Sequence, residues 1–316
     1  MCLAQRRFPM RPAQSVARPQ FRLRPLALEV GVFCLIWSSA FSISKVALLD
    51  CPPLLLLTTR FLLAAAVLLG GALVTGAKWR LGRRDLVALA TIGVANNALY
   101  LGFNYLGMGS VSSGLTALIS SMNPVLTAVL AAFFLSESMI WRKAGGLVLG
   151  VIGIAFIVRS RVSSGAESAS GIALVVGGLV SLVSGAILFK RLAPKGGLLI
   201  ANGIQNLAGA LALAPVALTT ESISAISPSW RLLAALVYLA VIGSVLAYLL
   251  WLHLLTVLGA TAASAYHFLM PPLGLLFGWL VLGEHMAQRE LVGIIPVALG
   301  IYLVTRPAAV RKAAMA

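Results

Sequence analysis

The sequence predicts an all-helical integral membrane protein with ten transmembrane helices arranged as two inverted five-helix repeats. Three observations predict it. The chain is 60% hydrophobic and 10% charged, with mean hydropathy +1.01, whereas a soluble domain is about 45–50% apolar and about 25% charged. Apolar stretches of about 20 residues, long enough to cross a bilayer as a helix, recur along almost all 316 residues. Part of the second half also overlays the first without gaps after a shift of 147 residues, which sets Pro124 on Pro271 and Glu137 on Glu284.

The spans are expected near 29–49, 53–75, 85–106, 111–135, 142–159, 170–189, 197–219, 231–257, 262–282 and 288–305. They are too long for barrel strands and lack period-2 alternation. Short connections rich in turn formers or charge separate them, such as Cys51-Pro52-Pro53 and Pro194-Lys195-Gly196-Gly197. Residues 1–28 are rich in Arg and Pro and read as a disordered cytoplasmic tail. The Arg6-Arg7 pair is followed by no small-residue cleavage site, so a twin-arginine signal is disfavoured. Residues 29–160 and 168–306 form the two repeats, and 307–316 a second tail.

The net charge of +16 would suggest nucleic acid in a soluble protein. Here its distribution gives an orientation instead. With the N-terminus inside, eighteen of the 24 Lys and Arg residues fall on inner segments and four on outer ones, while Lys45 and Arg60 lie within spans. Basic residues gather on the cytoplasmic side, so both termini are expected there, and no nucleic-acid partner is expected.

Several chemistries have no basis in the sequence. Cys34 and Cys51 flank one predicted helix, about 25 Å apart at 1.5 Å rise per residue, so they cannot pair. The chain has no GxxxxGK[ST] loop, HExxH motif or Cys cluster. Neither an ATP-driven pump, an enzyme, a metal site nor a cofactor is expected.

The repeat extends beyond its Pro and Glu. Leu126 falls on Leu273, Arg142 on Arg289, Gly146 on Gly293, Gly153 on Gly300 and Arg159 on Arg306. Five spans per repeat is an odd number, so the second copy enters the membrane from the opposite side. Inverted repeats of this kind characterise secondary transporters.

Polar side chains inside lipid are costly unless they face a partner or a cavity, so helical spacing locates a cavity. Asn97, Tyr100 and Asn104 share a face of span 3, and Thr116, Ser120 and Asn123 a face of span 4. Ser244, Tyr248 and Trp251 do so in span 8, and Ser264, His267 and Pro271 in span 9. Span 1 offers Trp37, Ser38 and Ser42. The candidate cavity set is therefore Trp37, Ser38, Ser42, Asn97, Tyr100, Asn104, Ser120, Asn123, Ser244, Tyr248, Trp251 and His267. The same residues would also serve as hydrogen-bonding glue between helices. Pro124 and Pro271 sit mid-span, as pivots or as static kinks. Lys45 and Arg60 read as structural or gating residues, with anion binding as the alternative. Glu137 and Glu284 read as interfacial caps or partners of Arg142 and Arg289. No carboxylate stands at mid-bilayer, so facilitated flux and proton antiport both remain open. His267 is the one central group that could titrate near neutral pH, if it is not simply a helix-contact histidine.

These features together resemble the drug/metabolite transporter superfamily, in its EamA-type ten-helix branch. The carriers are Trp37-Ser38-Ser39-Ala40-Phe41 with Lys45, Pro53 with Arg60-Phe61, and the twice-repeated span of central Pro, terminal Glu and following Gly-rich helix: Pro124, Glu137, Gly146 and Pro271, Glu284, Gly293. The resemblance covers about 28–306. It implies a secondary transporter in a bacterial cytoplasmic membrane, exporting a small polar metabolite such as an amino acid. It also implies a cavity lined by spans 1, 3, 4, 6, 8 and 9. An uptake carrier of the same fold and a non-translocating scaffold or sensor are the alternatives. The expected partners are the solute and the lipid bilayer, and the Gly faces of spans 5 and 10 suit packing between repeats or in a homodimer.

Overall fold

The computed structural model describes residues 23–79, 81–134, 141–163, 165, 167–192, 197–258, 263–264, 266–284, 295–296, 298–300 and 302–303. Among these, every regular element is helical. The helices are α1 (Leu23–Ala47), α2 (Pro53–Val74), α3 (Arg83–Met108), α4 (Ser113–Phe134), α5 (Trp141–Ser163), α6 (Ala169–Leu192), α7 (Leu198–Thr220), α8 (Trp230–Leu258) and α9 (Met270–Leu282, entered through a 3₁₀ turn at Tyr266–Leu269). Seven of the described helices, α1–α4 and α6–α8, are long and apolar enough to cross a membrane. The predicted tenth span falls largely outside the described residues, as do Glu137, Arg289 and Gly293. Apolar side chains such as Leu62, Leu63, Val67, Leu211 and Val216 are exposed on the outside of the bundle. A surface of that kind belongs in lipid rather than water.

Four spans are irregular, and the irregularities fall in matched places. α3 and α8 each contain a π-helical stretch, Val94–Leu101 and Tyr238–Ala247. α4 breaks into Ser113–Ser120 and Asn123–Phe134, and α9 changes from 3₁₀ to α geometry at Met270. Both central prolines stand at the second residue of the restarted helix. There their missing N–H removes no hydrogen bond that the first turn would have made. The prolines thus mark breaks in the spans rather than bends of a continuous helix.

Helix contacts are matched in the same way. α1 packs on α9 as α6 packs on α4, α3 packs on α6 as α8 on α1, and α3 on α7 as α8 on α2. The contacts α2–α7 and α4–α9 map onto themselves when each helix is exchanged for the one five places along. The α3–α6 contact depends on a glycine every seventh residue of α6: Gly171, Gly178 and Gly185. A Cβ on Gly178 would stand 2.9 Å from the Tyr100 carbonyl oxygen, and one on Gly185 would meet the Asn96 side chain. Small residues let helix backbones approach closely where no hydrophobic effect drives them together.

One end of the bundle is held by carboxylates that satisfy helix N-termini. The first turn of a helix leaves backbone N–H groups unpaired and carries positive potential. Glu221, just past α7, accepts hydrogen bonds from the Leu54 and Leu55 amides of α2 at 2.9 and 2.8 Å. Glu167 accepts from the Ser112 amide and hydroxyl before α4, at 2.8 and 2.6 Å. Glu284 takes the Ser113 and Gly114 amides at 2.9 and 3.0 Å. It is delivered there by Gly283, whose φ of +65° ends α9 in the left-handed conformation that glycine adopts freely. Lys45 donates to the Val111 carbonyl beside these carboxylates. Asp50 in the α1–α2 turn accepts from Arg231 and Ser229 at the start of α8. Apart from Lys45–Val111, each contact has a residue from 167 onward securing a helix end or turn before 115, and all lie at the end predicted to face outward.

Two predictions follow from this packing. Gly178→Leu should destabilise the fold by about 1–3 kcal/mol or more through overpacking. Gly70→Ala, at a site with nothing within 4 Å of the new Cβ, should be neutral within about 0.5 kcal/mol. Thermal unfolding of the two purified variants measures the difference. The hydrogen bonds from Arg231 and then Ser229 hold the Asp50 carboxyl below its ordinary range. Their contribution is present above the ordinary carboxylate pKa and is lost as pH falls through the lowered one. Melting curves across acidic pH should therefore show a smaller acid-induced loss of stability in Asp50→Asn than in the parent.

Candidate functional site

The π-helical stretches of α3 and α8 lie at the centre of the bundle. Bonding from i to i+5 puts an extra residue into the turn, so adjacent polar residues can both face inward. In α3 it buries Asn96 and Asn97 together, each 3% exposed. Between α1, α2, α3, α7 and α8 lies a cleft of about 620 Å³, counting the part open to solvent. Its apolar walls are Trp37, Phe41, Phe61, Leu101 and Met108. Its polar lining comprises Asn96, Asn97, Asn104 and Asn206, with Tyr100, Tyr105, Tyr248, Ser44, Ser244 and Arg60.

Two hydrogen-bonded chains brace this lining. On the side toward the carboxylate caps, Arg60 Nη1 donates to the Tyr105 hydroxyl at 2.7 Å, and Tyr105 lies 2.6 Å from Ser44 Oγ. Ser44 donates to the Ala40 carbonyl at 2.6 Å, so Tyr105 must donate to Ser44. Arg60 Nε donates to Ser244 Oγ at 2.8 Å. Arg60 thereby joins α2 to α3 and α8, and through Tyr105 to α1. Deeper in the bundle, Asn96 Nδ2 donates to the Tyr248 hydroxyl, which donates to Gln205 Oε1, both at 2.8 Å. Asn202 Nδ2 donates to the Ser244 carbonyl at 2.9 Å, and Asn206 Nδ2 to Asn202 Oδ1 at 2.6 Å.

The bracing is incomplete at the cleft. Among the described residues, Asn96 Oδ1, Asn97 Nδ2, Asn104 Oδ1 and Asn206 Oδ1 are buried with no hydrogen-bond partner. All four side chains line the cleft. An unpaired buried polar group costs about 1–3 kcal/mol, and native interiors contain few of them.

The sequence-predicted cavity residues divide into two groups. Trp37, Asn97, Tyr100, Asn104, Ser244 and Tyr248 line the cleft together. Ser38, Ser42, Ser120, Asn123, Trp251 and His267 do not, although all are buried. Ser42 Oγ is 3.4 Å from Ser113 Oγ, and Asn123 Oδ1 accepts from Thr127 Oγ1 at 2.9 Å. Ser120 lies near Tyr100. Trp251 and His267 belong to an aromatic cluster with Phe33 and Trp37. In it the Trp251 and His267 rings meet edge to face at 4.9 Å, and Phe33 stacks on Trp251 at 5.9 Å. Trp37 belongs to both groups, lining the cleft on one side and lying 5.5 Å from His267 on the other. Lys45, Pro124 and Glu284 lie outside the cleft, at the carboxylate-capped end or the α4 break, and Pro271 opens the α-helical part of α9. Glu137 lies outside the described residues.

The cleft also takes its lining from α2 and α7, through Arg60, Phe61 and Asn206, rather than from spans 4, 6 and 9. Sequence reasoning assigned no cavity role to α7, although its signal was visible. Asn202, Gln205 and Asn206 stand at i, i+3 and i+4 in an otherwise apolar helix, and all three are buried. Tyr105 and Ser44 gave no comparable signal, because each reaches the cleft only through the packing of α1 against α3.

Comparison with known proteins agrees with this architecture. The EamA-like transporter family matches residues 29–159 and again 169–306. The chain is 28% identical over 288 residues to the uncharacterized transporter YvbV of Bacillus subtilis, covering 91% of this chain and 94% of that one. It is 28% identical over 285 residues to the S-adenosylmethionine/S-adenosylhomocysteine transporter of Chlamydia muridarum, covering 85% and 88%, and 25% identical over 262 residues to protein PecM of Dickeya dadantii, covering 82% and 85%. A solved crystal structure shares the fold with a TM-score of 0.62 at 18% identity, over 89% of this chain and 96% of that one. The helical membrane fold and the two matched segments lead to one conclusion: the chain is a multi-pass membrane protein belonging to the EamA-like transporter family.

Proposed function

We propose that the protein is a secondary transporter that exports a small polar metabolite, an amino acid or a related compound, across a bacterial cytoplasmic membrane. Transport proceeds by alternating access. Two five-helix repeats of opposite orientation rock about the cleft, and both termini are cytoplasmic. The observation that carries this reading is the convergence on one cleft of four Asn side chains, each with an unpartnered buried atom. A polar solute entering the cleft pairs with them, while Trp37, Phe41 and Phe61 receive its apolar part.

The matched irregularities support the two-repeat mechanism. π stretches in α3 and α8 and breaks in α4 and α9 are where rigid helices can flex. The exchange of helix contacts by five places is what a pseudo-two-fold axis produces. A relative named for S-adenosylmethionine and S-adenosylhomocysteine supports metabolites as the solute class. Aromatic enclosure of His267 favours a static helix contact over a proton carrier.

Two experiments test this reading. In proteoliposomes carrying the full chain, labelled solute should exchange against excess unlabelled solute. Asn97→Ala or Tyr248→Ala, both at cleft-lining positions, should slow that exchange by about tenfold or more while folded protein stays in the membrane. If both variants exchange at the parental rate, these residues do not form the transport path. Single cysteines at Arg142 and Arg289 should be reachable from opposite compartments. Labelling of both from one side would remove the inverted arrangement.

A further inference from the structure

We infer that the transported solute carries a carboxylate and that Arg60 holds it. This rests on the transport reading above and names the chemistry of the solute. Arg60 is 5% exposed and lines the cleft, seven residues into α2. A guanidinium has five N–H donors and no acceptor. Two of the five are used, Nε toward Ser244 and one N–H of Nη1 toward Tyr105, and both acceptors are neutral hydroxyls. Three donors remain, two of them on Nη2.

Among the described residues no anion offsets the charge, and its π neighbour is the Phe61 ring, whose centroid lies 5.8 Å from Cζ. Lys45, the other cation within the spans, has Glu284 and Glu167 close by, and Arg231 has Asp50. Among the described residues, no Asp or Glu forms a hydrogen bond or ion pair with Arg60. A cation inside a membrane protein faces a counter-charge, a carbonyl or a solute pathway. Here the surroundings are the cleft itself. Nη2 extends along the bare backbone of Gly243, where an added Cβ would stand 3.0 Å from it. Both residues line the cleft.

This geometry selects a carboxylate. Guanidinium and carboxylate pair through two parallel, charge-assisted hydrogen bonds. The cleft offers one cation among its described lining, which matches a single negative charge and leaves a phosphate dianion undercompensated. The aromatic neighbours Trp37, Phe41, Phe61 and Tyr100 suit an apolar or aromatic body behind the acid. Ser244 and Tyr105 position the guanidinium, and Tyr105 is itself held by Ser44.

The test measures binding to the purified full-length protein by thermal stabilisation. Phenylacetate, L-phenylalanine and L-leucine are each compared with the corresponding primary amide. At least one acid should bind about tenfold or more tightly than its amide, the size of a charge-assisted pair. Arg60→Gln should abolish that preference. Gly243→Ala, which keeps the charge but crowds Nη2, should reduce it, so the inference remains testable if Arg60→Gln does not fold. If no acid is preferred over its amide, or if the preference survives in Arg60→Gln or is unchanged in Gly243→Ala, the assignment is overturned. Counterflow in proteoliposomes distinguishes this failure from failure of the transport reading. Exchange of solutes without carboxylate preference removes Arg60's role alone. An Arg60-dependent preference without exchange leaves the subsite and removes the transport mechanism.

Discussion

The fold depends on one constraint: within lipid, each polar group must find its partner inside the protein. The carboxylate-capped end of the bundle satisfies it most directly. α2 and α4 begin beneath the surface of the bundle, with first-turn amides that water does not serve, and carboxylates from distant sequence supply the acceptors. Three glutamates from the second half thereby set where helices of the first half start. This joins the halves at one end while leaving their middle held by packing and by a few hydrogen bonds.

In the middle the constraint is relaxed. Helices that are regular elsewhere widen to π geometry in α3 and α8, and Asn96, Asn97, Ser244 and Tyr248 are placed by those stretches or their edges. Tyr248 and Gln205 satisfy one side of Asn96 and leave its carbonyl oxygen unpaired. Aromatic walls and unpaired polar atoms are the features that the proposed solute would complete. The proposed carboxylate subsite adds a charge to the same pattern, since Arg60 is braced by hydroxyls but has no described counter-charge.

Much of this could be read from the sequence, for identifiable reasons. Hydropathy located α1–α4 and α6–α8 within a few residues, because span length is imposed by bilayer thickness. The 147-residue shift paired Pro124 with Pro271, and both residues open the second part of a divided span. Helical spacing placed Asn97, Tyr100, Asn104 and Tyr248 on the cleft. It also grouped with them Ser120 and His267, which the structure buries elsewhere. Periodicity identifies a polar face but not the neighbour that covers it, and the π turns rotate each face by an amount that regular spacing cannot supply. Glu284 was visible as a span-ending acid. Its target at Ser113 and Gly114 depends on a contact 171 residues away, which no local pattern encodes.

Accessibility of the cleft tests the central claim most directly. With Cys2, Cys34 and Cys51 replaced by Ser, a single cysteine at Ala40 would line the cleft beside Trp37 and Ser44. An alternating-access carrier exposes that thiol to a membrane-impermeant maleimide from both faces of the membrane, and a bound solute slows the reaction from each. Modification from one face alone, however long the exposure, would contradict the account.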